Sequence, residues 1–263
     1  MQSEYAPHLI GIHVAAGGTE EWFYHFRGNF HDRSPTRTAA FRHWLRETYQ
    51  NDTALQKKWH DPIVTLKTAQ PADISGAKRS NTWRDPNREQ GTIDTFRFHA
   101  QTMVDNISCF CRLVKDVSQG HLLAGAFYGY HYFVTDPRRG HGALHKLLDC
   151  PDLDYLSSPN AYYRMPGEDW PPMVAVNSVQ LHGKLWMAEN DTRTSATTLL
   201  KDRAPEICPP GQYASGVWLG PGDIETSVAL LRKNTGRMLA WLWNSDSGCL
   251  GGSAAGRGAL HGE

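Results

Sequence analysis

An α/β fold with a parallel sheet is what this chain predicts, on two observations. Short apolar runs alternate with segments of helical periodicity, the order expected of strands joined by crossover helices. Two glutamates, Glu21 and Glu189, each follow such a run into a polar loop, and carboxyl ends of parallel strands are where α/β barrels keep their reactive groups. The 263 residues, 40% apolar and 21% charged, suffice for one large core or two small ones. A formal net charge of +0 lacks the basic face of a nucleic-acid binder.

Taken in order, Leu9 to Ala16 reads as a buried strand running into Gly17-Gly18. Ser34 and Pro35 supply an N-cap and a first-turn proline, and Phe41, Trp44, Leu45 and Tyr49 recur at helical spacing, which predicts a helix from Pro35 to Gln50. Asp52 to Trp59 reads as a second helix. Residues 61–91, with Pro62, Pro71 and Pro86, read as a long loop. Ile93, Phe96, Met103, Val104, Ile107, Phe110 and Val114 predict a long helix from Thr92 to Val117, stopped by Gly120.

His121 to Gly129 is the next strand, followed by a helix from Gly140 to Leu148 and a strand from Leu153 to Ser157. A loop rich in Pro, Tyr and Trp covers Ser158 to Pro172. A strand from Lys184 to Ala188, helical turns near 195–203, a helix from Ile224 to Arg237 and an apolar run from Met238 to Trp243, read as a strand, complete the order. That makes five strands where a closed barrel has eight. Residues 1–247 are read as one domain and the Gly/Ala/Ser-rich stretch 248–263 as a disordered tail.

The five cysteines (Cys109, Cys111, Cys150, Cys208 and Cys249) form no C-x-x-C pair, which suggests reduced thiols and a cytoplasmic setting. No run has the length of a membrane span, so no membrane partner is expected. His141 and His145 stand four apart, as paired helical metal ligands do. No acidic residue lies between them and Gly142 weakens the helix, so they read as a solvated helix face, with no metal and no cofactor expected.

Cleaving a glycosidic bond takes two carboxyl groups, one to protonate the leaving oxygen and one to attack or to activate water. Glu21 precedes Trp22 and Phe23, apolar neighbours that favour a protonated acid. Glu189 lies among Asn190, Asp191 and Arg193, a setting that favours an ionised nucleophile. Tyr128 ends a strand, and Asn160 and Tyr162 follow one. With Trp22, Asp191 and Arg193 they are the candidates for contact with a sugar. Nine Trp and ten Tyr supply stacking surfaces; Trp241 and Trp243 are further candidates for a sugar platform.

The segment Gly11-Ile-His-Val-Ala-Ala-Gly-Gly-Thr-Glu-Glu-Trp-Phe-Tyr resembles the fourth-strand region of bacterial β-galactosidase-like proteins related to glycoside hydrolase family 42. Ala40-Phe-Arg-His-Trp-Leu-Arg-Glu-Thr-Tyr, Ala126-Phe-Tyr-Gly-Tyr, Pro151-Asp-Leu-Asp-Tyr-Leu-Ser-Ser-Pro and Leu181-His-Gly-Lys-Leu-Trp-Met-Ala-Glu-Asn-Asp-Thr-Arg-Thr resemble later landmarks, over residues 9–240. The resemblance implies a retaining (β/α)8 hydrolase acting on β-glycosides, β-galactosides foremost. Glu21 then falls at the acid/base and Glu189 at the nucleophile.

Glu20 competes with Glu21, because the clan carries Asn-Glu where this chain has Thr19-Glu20-Glu21. The first strand here would be the fourth of the barrel, leaving a partial (β/α)8 TIM barrel of strands four to eight with long βα loops. A partial barrel has open strand edges. The rival expectation is a truncated, non-catalytic carbohydrate-binding remnant. The partners expected are an oligosaccharide or β-glycoside and, since the relatives associate, a homo-oligomer.

Overall fold

The structure, a computed structural model, describes residues 4–17, 20–23, 34–74, 83–162, 165–168, 170–197, 199, 202, 206 and 219–257. Four strands are present among them: β1 (Gly11–His13), β2 (Leu123–Phe127), β3 (Tyr155–Pro159) and β4 (Leu185–Glu189). The helices are α1 (Pro35–Tyr49), α2 (Asp52–Trp59), α3 (Gln90–Ser118), α4 (His131–Val134), α5 (Leu144–Leu148), α6 (Val176–Leu181) and α7 (Ile224–Arg257).

The strand order is β1-β2-β3-β4. β1 pairs with β2, and β2 with β3, in parallel, so that His13, Gly125 and Tyr155 stand level. The amide of Leu185 donates to Asp154 O at 2.9 Å and that of Asn160 to Glu189 O at 3.4 Å, so β4 runs the same way. A parallel sheet in unbroken chain order, joined through helices, is singly wound like an arc of a (β/α)8 barrel; a doubly wound sheet reverses its order. Gly125 makes the middle of the sheet possible, since a Cβ there would stand 2.4 Å from Tyr155 O.

The chain divides into two compact units, Met1–Ser157 with His182–Leu185, and Ser158–Leu181 with Trp186–Glu263. In the first, Ser34 caps α1 by accepting from the Arg37 amide, and Asn51 caps α2 by accepting from that of Ala54. Phe41, Trp44, Leu45, Leu55, Val64, Ala69 and Phe98 close a core between α1, α2 and α3. The buried Asp94 carboxylate ties these helices together. It accepts from Tyr49 Oη at 2.5 Å, Trp59 Nε1 at 2.7 Å and Gln90 Nε2 at 2.9 Å. α3 buries Phe96, Met103, Val104, Ile107 and Cys111 along one stripe and stops at Gln119, whose φ is 54°. The opposite face of α3 leaves Leu113 and Val117 exposed. With Val114, Leu122 and Ile12 of β1, they line an apolar groove of about 240 Å³.

In the second unit, α7 carries Ser227, Leu230 and Asn234 on its buried side. The run Met238–Trp243, expected as a fifth strand, belongs to α7. No proline or capping residue stops the helix at Arg237, and a short apolar run alone cannot distinguish strand from helix. α7 also includes 248–257 of the expected tail, while 258–263 lie outside the described residues. The predicted helix from Gly140 begins only at Leu144: Gly140 adopts φ 88° and closes a 3-10 turn over Pro137–Arg139. The predicted turns near 195–203 fall largely outside the described residues. Cys109, Cys111 and Cys150 are free thiols, and burial pushes that of Cys111 up to about 12. Among the described residues no helix is long and apolar enough to cross a membrane.

Candidate functional site

β1 ends at His13, a few residues before Glu21. Ala16 and Glu21 form an isolated parallel bridge, with the Trp22 amide donating to Ala16 O at 2.9 Å. Trp22 Nε1 donates to Val14 O at 2.8 Å, and both Trp22 and Phe23 are buried. Glu20 and Trp22 have φ of 66° and 53°, left-handed conformations that cost non-glycine residues about 1–2 kcal/mol each. Half-buried Glu21 is thus flanked by two strained residues in a loop closed by its own hydrogen bonds.

A buried histidine holds this loop from outside. His141 is fully enclosed, and its Nδ1 accepts from the amides of Gly129 (3.0 Å) and Tyr130 (3.3 Å). Its Nε2 stands 3.1 Å from both Glu21 O and Trp22 O. Two donors on Nδ1 and two carbonyls at Nε2 require the proton on Nε2. Burial is the main cause that lowers its pKa to about 4; the carbonyl hydrogen bonds oppose the shift. The sequence placed His141 on a solvated helix face. It lies instead before the helix begins, inside the protein.

Tyr128 and Tyr130 enclose this imidazole, Tyr128 stacked at 4.5 Å between centroids and Tyr130 edge-on at 5.6 Å. The Tyr128 hydroxyl donates to Gly140 O at 2.7 Å and accepts from the Ala143 amide at 3.2 Å. Tyr128, expected to contact a sugar, is fully buried and braces the segment that carries His141. Trp22, expected in the same role, is buried against Val14 and shapes the Glu21 loop.

His13 was not singled out by sequence. It stands between Phe127 (4.3 Å) and Tyr155 (5.8 Å), with Tyr155 Oη 3.3 Å from Nδ1. Its Nε2 is buried with no hydrogen-bond partner among the described residues. Burial lowers its pKa, and the Glu20 charge opposes that shift. The signal available in the sequence was its position as the last residue of the strand that leads into Glu20-Glu21.

In the second unit, Glu189 is the last residue of β4, where a reactive carboxylate was expected. Trp186 Nε1, earlier on the strand, donates to Ser158 Oγ of β3 at 3.0 Å. Asn160 follows β3 directly, and its amide donates to Glu189 O. Asn160 is 2% exposed, yet among the described residues neither its Nδ2 nor its Oδ1 has a hydrogen-bond partner. Leaving such a group dry costs about 1–3 kcal/mol.

The loop after β4 is tied to α7. Asn234 Nδ2 donates to Thr192 Oγ1 at 2.7 Å, and Thr192 Oγ1 donates to Asn190 Oδ1 at 2.5 Å. The Ser195 amide donates to Ser227 Oγ at 2.9 Å. Asp191 and Arg193, half-buried, ride on this braced loop, and Tyr162 is half-buried in the loop after β3. The Trp241 and Trp243 side chains lie outside the described residues. Among those that are described, no three His, Cys, Asp or Glu side chains gather as metal ligands.

No family model matches this chain, and no curated protein does. Among solved structures it is similar to the catalytic domain of β-amylase from Paenibacillus polymyxa, at TM-score 0.46 and 13% identity, over 61% of this chain and 43% of that one. The matched region is thus less than half of the β-amylase domain's length.

Proposed function

We propose that this chain is a retaining glycosidase for β-glycosides, β-galactosides foremost, with Glu189 as nucleophile and Glu21 as acid/base. Asn160 is the observation that carries this reading. A buried amide with its donor and acceptor both unused, beside the residue that ends β4, fits a sugar hydroxyl, which can accept from Nδ2 and donate to Oδ1. The likeness of the strand-end motifs to family 42-related proteins supports the choice of sugar.

In the first step Glu189 attacks the anomeric carbon, Glu21 gives its proton to the glycosidic oxygen, and the aglycone alcohol leaves. Glu21, now a carboxylate, then takes a proton from water as that water attacks the same carbon. This breaks the bond to Glu189 and restores both groups. The reading involves no metal or organic cofactor.

The test is mechanism-based labelling of the whole chain with 2,4-dinitrophenyl 2-deoxy-2-fluoro-β-galactoside, followed by intact and peptide mass analysis. A single adduct on Glu189, absent in Glu189→Gln, is expected. If the galactose, glucose and fucose analogues all leave the protein unlabelled while a β-galactoside still binds saturably, the chain is a sugar-binding protein without turnover.

A further inference from the structure

The short segment Glu20–Phe23 holds two left-handed non-glycine residues, a conformation that persists only where its surroundings enforce it. Two bonds come from the chain just upstream, Trp22 N to Ala16 O and Trp22 Nε1 to Val14 O. His141 adds another attachment from a distant part of the sequence, to the carbonyl of the Glu21–Trp22 peptide bond and to that of the next, Trp22 O. The opposite edge of the ring is fixed to the backbone just beyond β2, through the amides of Gly129 and Tyr130. One imidazole therefore links the carboxyl end of β2 to the peptide that carries Glu21. It cannot swing away, because Tyr128 and Tyr130 pack on it from two sides.

We propose that His141 is the positioning residue of the acid/base: as a neutral imidazole protonated on Nε2, it sets the main chain of Glu21 relative to the sheet. This rests on the reading of Glu21 as the acid/base. The donor at Nε2 is the edge that holds the Glu21 side, while Nδ1, accepting from the β2 side, anchors the ring. Asparagine can offer an oxygen near the Nδ1 position but no donor as far out as Nε2. Glutamine reaches the Nε2 position with an amide donor.

The test compares His141→Asn and His141→Gln in the full chain. Displacing a reacting group by about 1 Å costs on the order of 100-fold. His141→Asn is therefore expected to lose between 10- and 100-fold in kcat on a β-galactoside with a poor leaving group such as methanol, at little changed KM. In kcat/KM, which reports only formation of the glycosyl-enzyme, it should lose under threefold on the dinitrophenyl galactoside, whose departure needs no proton. His141→Gln should retain most activity on both. Equal losses on the two substrates, or equal behaviour of the two variants, would overturn the proposal.

Amide exchange at Trp22 gives a readout free of turnover. It should accelerate in His141→Asn and stay near the wild-type rate in His141→Gln; identical rates in all three proteins count against the role. In the wild-type chain, imidazole ¹⁵N shifts at pH 7 should report a neutral ring with its proton on Nε2, and a proton on Nδ1 would sink the idea even if neither variant folds. An unlabelled, inactive wild-type chain would refute the glycosidase reading, while exchange and tautomer would still decide whether His141 holds the loop.

Discussion

Trp186 Nε1 donates to Ser158 Oγ across 3.0 Å, pinning β4 to β3 just before Asn160 and Glu189. Both residues are buried, so the bond fixes how far the two strand ends advance relative to each other. Trp186→Phe strands a buried hydroxyl and is expected to cost about 1–2 kcal/mol. Urea denaturation of Trp186→Phe, Ser158→Ala and the double variant checks this. The double variant should be more stable than the sum of the single losses predicts, and strict additivity would mean that the bond contributes nothing.

Asp94 gives a second test, in the helical core. A carboxylate accepting from Tyr49, Trp59 and Gln90 has no good substitute. In Asp94→Asn the remaining oxygen can keep Tyr49 and Trp59, which share Oδ2, so the NH₂ group faces Gln90 Nε2 and Arg97 on the Oδ1 side, at a cost of about 1–3 kcal/mol. Adding Tyr49→Phe should deepen the loss in urea denaturation rather than return it, because the oxygen on that side still serves the hydroxyl.

Tyr49 also sets a pH dependence. Burial and the Asp94 carboxylate hold its hydroxyl well above the ordinary tyrosine range. Its folded pKa exceeds its unfolded one, so the folded state keeps the proton longer. The stability from this group is constant below about pH 10 and falls as pH rises beyond it. Denaturation midpoints between pH 9 and 11 should fall more steeply in the wild-type chain than in Tyr49→Phe.

His141 acts at the other end of the scale. Its pKa is lowered from 6.5 to about 4, so the unfolded chain binds the proton first as pH drops. Stability from this group is complete above about pH 6.5 and is lost between there and pH 4, on the order of 3 kcal/mol in all. Midpoints measured between pH 7 and 4 should fall more steeply for the wild-type chain than for His141→Gln.

The elements that the sequence made readable are those whose periodicity and caps agree. α1 follows Ser34, the cap expected for it, and α2 begins at Asp52 as expected, capped by Asn51, and α3 differs from its expected span by only a residue or two at each end. Glu189 at the end of β4 was equally readable, because an apolar run gives way to polar residues at that point. His141 was not. Its spacing to His145 suggested a helix face, whereas its role is set by backbone groups of Gly129, Tyr130, Glu21 and Trp22 that no local pattern brings together. Tyr128 misled for a related reason. A tyrosine at a strand end can face a ligand or brace a loop, and the partners that decide, Gly140 and Ala143, lie in a turn whose residues read as helix. The Met238–Trp243 run failed on period, being too short to distinguish strand from helix.

The identity of the acid/base is open to a kinetic test, because Glu20 and Glu21 differ in setting. Glu20 is exposed and left-handed, whereas Glu21 is half-buried and held through its carbonyl by His141. Glu21→Gln should lose about 10²–10⁴-fold on unactivated β-galactosides, yet still form the glycosyl-enzyme from the dinitrophenyl substrate, whose leaving group departs as an anion. That intermediate should then accumulate, since water attacks it slowly without a base. Azide, which needs no deprotonation, should release it as a β-glycosyl azide detectable by mass spectrometry. Glu20→Gln is expected to stay within a few-fold of wild type and to yield no azide product. If the burst, the accumulation and the azide adduct follow Glu20→Gln instead, the proton donor is Glu20, and His141 steadies the neighbour of the acid rather than the acid itself.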